Sequence, residues 1–201
     1  MLTVSTSKAT TRNYHHGDLR AALIAAGLQH LESGGESDIS LRQLAREVGV
    51  SATAVYRHFP DKRAMLAALA AEGFALLGRA QRAASEAAGG GADGFGATGR
   101  AYVRFALANP ALFRLTFTHA GIGTANGLGN DEAAQLLQAY ARQFAGDKAP
   151  ALALQAWSVA HGLAMLMLDG RLPPDPALID QVIDPRTLFA QGSSSEASPY
   201  E

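Results

Sequence analysis

The chain has no cysteine, which excludes a disulfide framework, a thiol nucleophile and a zinc site built on thiolates. It also lacks a Gly-x-Ser-x-Gly elbow, a phosphate-binding loop, a dinucleotide fingerprint and a His-Glu-x-x-His helix. Those are the arrangements by which many hydrolases, nucleotide-dependent enzymes and metalloproteases place their reacting groups. His15-His16-Gly17-Asp18 comes nearest to a metal motif, but neighbouring histidines point to different helix faces and no partner ligands follow. No catalytic residue, metal or cofactor is therefore expected. Strand signals are nearly absent: alanine and leucine dominate, and apolar residues recur at helical rather than alternating spacing. Residues 1–12 are rich in Ser and Thr and carry no apolar core of the signal-peptide kind. They read as a flexible arm, and the chain as cytoplasmic.

One long uncharged run does occur. Ala149–Leu168 holds no Asp, Glu, Lys or Arg, and a stretch of that length is long enough to cross a bilayer. It nevertheless contains Pro150, Gln155, Ser158, His161 and Gly162. A helix buried in a core or between subunits fits this composition better than a membrane span. With 201 residues the chain can bury a substantial core. Its formal charge of −1 is unevenly spread. Residues 1–63 hold eight basic side chains (Lys8, Arg12, Arg20, Arg42, Arg46, Arg57, Lys62, Arg63) against six acids, hence +2, leaving −3 for the remainder. That asymmetry suits an N-terminal module that meets phosphate.

The periodicity predicts an all-α protein of about nine helices around two cores. The first runs from about 17 to 32, with Leu19, Leu23, Ala26 and Leu31 along it and Gly34-Gly35 after it. Two short helices occupy 40–59. A fourth opens at Pro60-Asp61, where proline suits a first turn and Asp the positive helix end, and runs to about 84. Gly89-Gly90-Gly91 reads as a flexible joint. A fifth helix spans about 94–108 and stops at Asn109-Pro110, because the residue before proline disfavours helical geometry. A short sixth carries Leu112, Phe113, Leu115 and Phe117, and the glycine-rich run 121–130 reads as a loop. The seventh, eighth and ninth occupy about 131–144, 149–168 and 176–189, followed by a disordered tail over 192–201.

The segment 40–66 is the most informative. Ser40 and Gln43 have the spacing of a capping box, and Leu41, Leu44, Ala45 and Val48 supply one apolar face. Gly49 breaks the helix, Val50 packs inward, and Ser51 caps a second helix. That helix displays Thr53, Tyr56, Arg57 and His58 outward, with Val55 and Phe59 pointing inside. A short helix presenting a hydroxyl, an aromatic ring and bases behind a tight turn is what a DNA groove reader needs. Ala52 and Thr53 sit at its start, where side chains face base edges. Arg57 reaches either guanine or phosphate. Ser40 and Ser51 present helix-start donors to phosphate, Lys62 clamps phosphate from the fourth helix, and Arg42 adds a further base.

Gly49-Val50-Ser51, four residues, Tyr56-Arg57-His58-Phe59, then Lys62 and Leu66 resembles the signature of the TetR family of transcriptional regulators. Tyr14-His15-His16-Gly17-Asp18-Leu19-Arg20 is similar to the first-helix start of one large branch of that family. The resemblance covers the first third of the chain closely and implies phosphate contacts at Tyr56 and His58. Val55 departs from a proline in that branch. Asn109-Pro110, Phe113-Arg114, Phe117 and Trp157 with His161-Gly162 resemble, more loosely, the branch with the Trp-His-Gly type of C-terminal domain.

The expected organisation is a helix-turn-helix DNA-binding domain over 13–60, a connecting helix over 61–84, and a ligand-binding and dimerisation domain over 85–191. The resemblance implies a homodimer through helices eight and nine, where Leu178, Ile179, Val182 and Ile183 form a stripe, and a palindromic double-stranded operator. A small apolar or aromatic effector would meet Tyr102, Phe105, Phe113, Phe117, Trp157, His161 and Met165 in a mostly apolar lining. His161 lies on one face with Trp157 and Met165, and serves either the ligand or the core. The function so expected is a ligand-controlled regulator, a repressor. A helical adaptor that binds only proteins, and less so an enzyme, are the alternatives.

Overall fold

The computed structural model describes residues 16–119, 129 and 131–186. The arm 1–12, the lead-in Tyr14 and His15, most of the glycine-rich run, and the tail 192–201 lie outside these residues. Among them there are nine α-helices and no strand.

Three helices form the N-terminal unit. They are α1 (His16–Gly34), α2 (Leu41–Val48) and α3 (Ala52–His58). Leu23, Leu44 and Val55, one from each, are completely buried, and Phe59 is nearly so. The turn between α2 and α3 works as its residues predict. Gly49 sits at φ +77, in the left-handed region that a residue with a Cβ enters only at a cost, and its N–H returns to Ala45 O and Arg46 O. Val50 N–H then bonds Ala45 O at 2.9 Å. Ser51 Oγ accepts from Ala54 N–H at 3.2 Å and so caps α3. The expected capping box at α2 does not form. Ser40 occupies the N-cap position, but its hydroxyl makes no capping bond, which leaves it exposed at the surface.

Helix α4 (Lys62–Ala87) starts on an Asp61 cap, whose Oδ1 accepts from Ala64 N–H at 2.7 Å. With 26 residues it is about 39 Å long and serves two cores. Met65, Leu66 and Leu69 pack with α1–α3, and Leu77 packs with the C-terminal helices. The glycine triplet is a tight turn rather than a loose joint. Gly89, Gly90 and Gly91 all have positive φ, and α5 (Gly91–Ala108) begins immediately, earlier than expected, and folds back along α4. Next come α6 (Pro110–His119), α7 (Glu132–Ala145) and α8 (Ala149–Leu168), the last two joined by a single 3-10 turn over Gly146–Lys148. Helix α9 (Pro176–Val182) is shorter than predicted; Ile183 closes it, and residues 187–189 lie outside the described region.

Helix α6 ties the two units together. Its Leu112 and Leu115 belong to the N-terminal core while Phe113 belongs to the C-terminal one. Glu32 Oε1, from α1, accepts the Leu112 N–H at 3.1 Å. At Gly73, a Cβ would come within 2.1 Å of Thr116 Oγ1 on α6, so α4 and α6 approach too closely for any other residue there. The uncharged helix α8 is buried on one face only. Leu152, Ala153, Ala160, Leu163, Ala164 and Met167 pack inward, whereas Leu154 and Leu166 are 51% and 46% exposed. Its main packing partners are α5 and α7.

Candidate DNA interface and sensing core

Four of the predicted DNA-contacting residues, Ser40, Arg42, Tyr56 and Lys62, meet at one groove. Ile39, Ser40, Leu41 and Arg42 from the start of α2, Tyr56 from α3, and Pro60, Asp61 and Lys62 from the start of α4 line an open groove of about 400 Å³. The starts of two helices, α2 and α4, meet there, and the unpaired N–H groups of such ends favour anions. Lys62 Nζ, 3.4 Å from Ser37 O, reaches across toward the chain leading into α2. Asp61 is the one acid in the wall, and its Oδ1 is engaged in capping α4. Tyr56 does not pack its ring between helices. It remains 43% exposed, so a bulky hydroxylated ring projects from the recognition helix. Thr53, Arg57, Arg42 and Ser51 are also exposed, and Ala52 and His58 are partly so.

Sequence reasoning missed Arg20. Its guanidinium lies over the Phe59 ring, 5.5 Å from the centroid, which puts a cation of α1 beside the C-terminal end of the recognition helix. No local pattern reveals this, because Arg20 and Phe59 are brought together only by the crossing of the helices.

The seven residues expected to line a ligand site also meet. Tyr102 (α5), Phe113 and Phe117 (α6), and Trp157 and His161 (α8) form a continuous ring cluster. Tyr102 stands edge-on to Phe113 at 5.5 Å, Phe113 lies 5.0 Å from Phe117, and His161 lies 4.9 Å from Phe117 and 5.8 Å from Trp157. Phe105 and Met165 are partly buried against the same core. Phe74, from α4, was not anticipated and packs edge-on against Phe117 at 5.3 Å. The rings thus pack upon one another rather than around a wide cavity.

Three polar groups cross this cluster. Trp157 Nε1–H donates to Tyr102 Oη at 3.2 Å, and Tyr102 Oη lies 2.8 Å from His161 Nδ1. Burial, the largest influence, holds the Tyr102 hydroxyl firmly protonated; the Trp157 bond opposes it and the Asp131 carboxylate adds to it. Burial likewise lowers the His161 pKa below its ordinary value of 6.5, so the imidazole is neutral at pH 7. A second polar knot went unpredicted: the hydroxyls of Ser85 and Tyr140 share a hydrogen bond beside the packed rings of Phe95, Tyr140 and Phe144.

Known proteins share both halves of this arrangement. Residues 23–69 match the bacterial regulatory proteins of the tetR family, and residues 95–185 match the tetracyclin repressor-like C-terminal domain. A solved protein of unknown function from Rhodococcus sp. RHA1 is 37% identical, over 90% of this chain and 98% of its own, with a TM-score of 0.72. The chain belongs to the TetR family.

A TetR variant from Acinetobacter baumannii AYE, solved in complex with minocycline, shares the fold at 20% identity, with 89% of this chain and 98% of that one covered and a TM-score of 0.57. The nucleoid occlusion factor SlmA of Marinomonas sp. (strain MWYL1) is 44% identical over 52 residues, 26% of either chain. The chain is therefore a non-enzymatic transcriptional regulator, with an N-terminal DNA-binding domain and a C-terminal ligand-binding domain. Membership in the family sets aside the adaptor and enzyme alternatives. The Trp-His-Gly branch rests on the sequence resemblance alone, carried by Asn109-Pro110, Phe113-Arg114, Phe117, Trp157 and His161-Gly162.

Proposed function

We propose that this TetR-family protein is a cytoplasmic, homodimeric repressor that reads a palindromic operator and responds to a small apolar or aromatic effector. The observation that carries the DNA-reading part is the groove between the starts of α2 and α4, walled by Ser40, Arg42, Tyr56 and Lys62. A phosphate seated there would hold α3 against the major groove, with Ala52, Thr53 and Arg57 toward the bases and Ser51, Tyr56, His58 and Lys62 on the backbone. Ser40, free of capping, has its hydroxyl available for the same phosphate.

Dimerisation is supported by the outer face of α8. Leu154, Ser158, Gly162 and Leu166 recur every fourth residue, with two large apolar side chains flanking two small ones, and a Cβ on Gly162 would meet nothing within 4 Å. Val182 of α9 adds to the exposed apolar surface, whereas Ile179 and Ile183 are spent inside the subunit. The effector site rests on the meeting of Tyr102, Phe105, Phe113, Phe117, Trp157, His161 and Met165 in one core; the Acinetobacter protein that shares this fold was solved in complex with minocycline. Effector binding would favour one domain arrangement and shift the population between operator-competent and incompetent spacings.

Selection from a random duplex pool tests the reading. Enrichment of a two-fold symmetric motif with half-sites about one helical turn apart is the expected result. Absence of enrichment overturns it.

A further inference from the structure

The hydrogen bonds through the aromatic cluster run in one direction. An indole nitrogen only donates, so Trp157 supplies its proton to Tyr102 Oη. Tyr102 is 5% exposed, and its own hydroxyl proton must also find an acceptor inside the protein. His161 Nδ1, at 2.8 Å, is that acceptor. A neutral imidazole that accepts at Nδ1 carries its hydrogen at Nε2. His161 is only half-buried, and among the described residues Nε2 has no hydrogen-bond partner. The chain Trp157→Tyr102→His161 therefore ends in a single polarised N–H donor at the edge of a ring cluster. Successive donors, drawn from α5 and α8, fix which end of the imidazole is presented.

Resting on the sensing role proposed above, we infer that the effector is an uncharged planar molecule recognised through one hydrogen-bond acceptor, which accepts from His161 Nε2–H at the edge of the ring cluster beside Phe117 and Trp157. The electrostatics of the cluster favour a neutral ligand. The charge acting on Tyr102 is the Asp131 carboxylate, and among the described residues no lysine or arginine joins the ring contacts or hydrogen bonds of the cluster. A ligand carboxylate would lose its hydration without a countercharge. An ammonium group would place donor against donor. Ketones, esters, amides and pyridine-type nitrogens meet the requirement.

Two measurements on the full chain test this. Nitrogen-15 NMR of the imidazoles reports the tautomer directly: His161 is expected as the Nε2–H form, and Tyr102→Phe should release it into a mixture. A wild-type Nδ1–H form overturns the inference, whatever the variants do. The second measurement titrates indan-1-one, indane and indane-1-carboxylate, followed through Trp157, the only tryptophan in the chain. Indan-1-one should bind about five- to tenfold more tightly than indane, the gain of one neutral hydrogen bond, and the carboxylate most weakly. His161→Phe should level the ketone and the hydrocarbon. Equal binding of those two by the wild type, or a preference that survives His161→Phe, overturns the inference and leaves the cluster as a purely apolar site. Binding by none of the three removes the sensing role of the cluster as well. Operator selection on the same protein decides the DNA-reading proposal separately.

Discussion

The N-terminal reader and the C-terminal sensor bury their side chains by different chemistry. The reader core is mainly aliphatic, built from Leu23, Leu44, Val55, Met65 and Leu69 around the buried ring of Phe59, and its polar residues are left on the outside. The sensor core mixes rings with hydrogen-bonding groups: Tyr102, Trp157 and His161 in one place, Ser85 and Tyr140 in another. An aliphatic core holds a fixed shape from which Thr53, Arg57 and Lys62 project at set positions. A core of rings joined by hydrogen bonds specifies which polar atom stays available, here His161 Nε2. Rigid display suits reading, and polar, aromatic packing suits sensing.

The largest effect should come from breaking the reader core. Phe59→Ala should cost about 3–5 kcal/mol in urea unfolding and abolish operator binding. Because Leu112 and Leu115 of α6 sit in that same core, Trp157 fluorescence and helical signal should fall in one transition. Two separate transitions would show that the regions are less joined than α6 makes them. In the sensor, Tyr102→Phe strands the Trp157 N–H and His161 Nδ1 and should cost about 1–3 kcal/mol. Operator affinity without effector should stay unchanged; a parallel loss of affinity would erase the distinction between the regions.

Within the reader, Thr53→Ala should relax sequence preference at one operator position by roughly 1–3 kcal/mol. Lys62→Ala should weaken all sequences alike and reduce the salt dependence of binding by about one unit. Binding measured across a salt series on matched and mismatched duplexes separates the two, and a change of preferred sequence on Lys62→Ala would refute its phosphate role. The smallest effect concerns pH. Burial lowers the folded-state pKa of His161, so below the ordinary value of 6.5 the unfolded chain binds a proton that the folded chain refuses. The stabilisation is complete above that value and is lost as pH falls through the folded pKa. Unfolding measured at pH 7.5 and 5.5 should show wild type losing more stability than His161→Gln.

Much of the reader was legible because its signals are local. Gly49, Ser51 and Asp61 act on atoms within a few positions, so spacing alone predicts turn and caps. Ser40 was misread for the same reason: a capping-box spacing permits a hydrogen bond that the folded start of α2 does not make. The glycine triplet was read as a joint because glycine permits any backbone; its three positive φ values show a turn that packing of α4 against α5 defines. In the sensor, Tyr102, Phe113 and His161 were found through helical periodicity, but Phe74 and the Ser85–Tyr140 pair were not. Their partners lie on other helices, and no spacing within one helix encodes a neighbour on another.

The sequence by itself determined that this protein is all-helical, where its reading helix begins, and which residues face outward from it, because capping, turn geometry and apolar periodicity operate over one or two helical turns. Only the tertiary structure decided that Arg20 stacks on Phe59, that α8 keeps one apolar face uncovered, and that Trp157, Tyr102 and His161 form a directed chain. Those facts depend on how helices far apart in the chain cross, and close packing of whole faces sets that crossing.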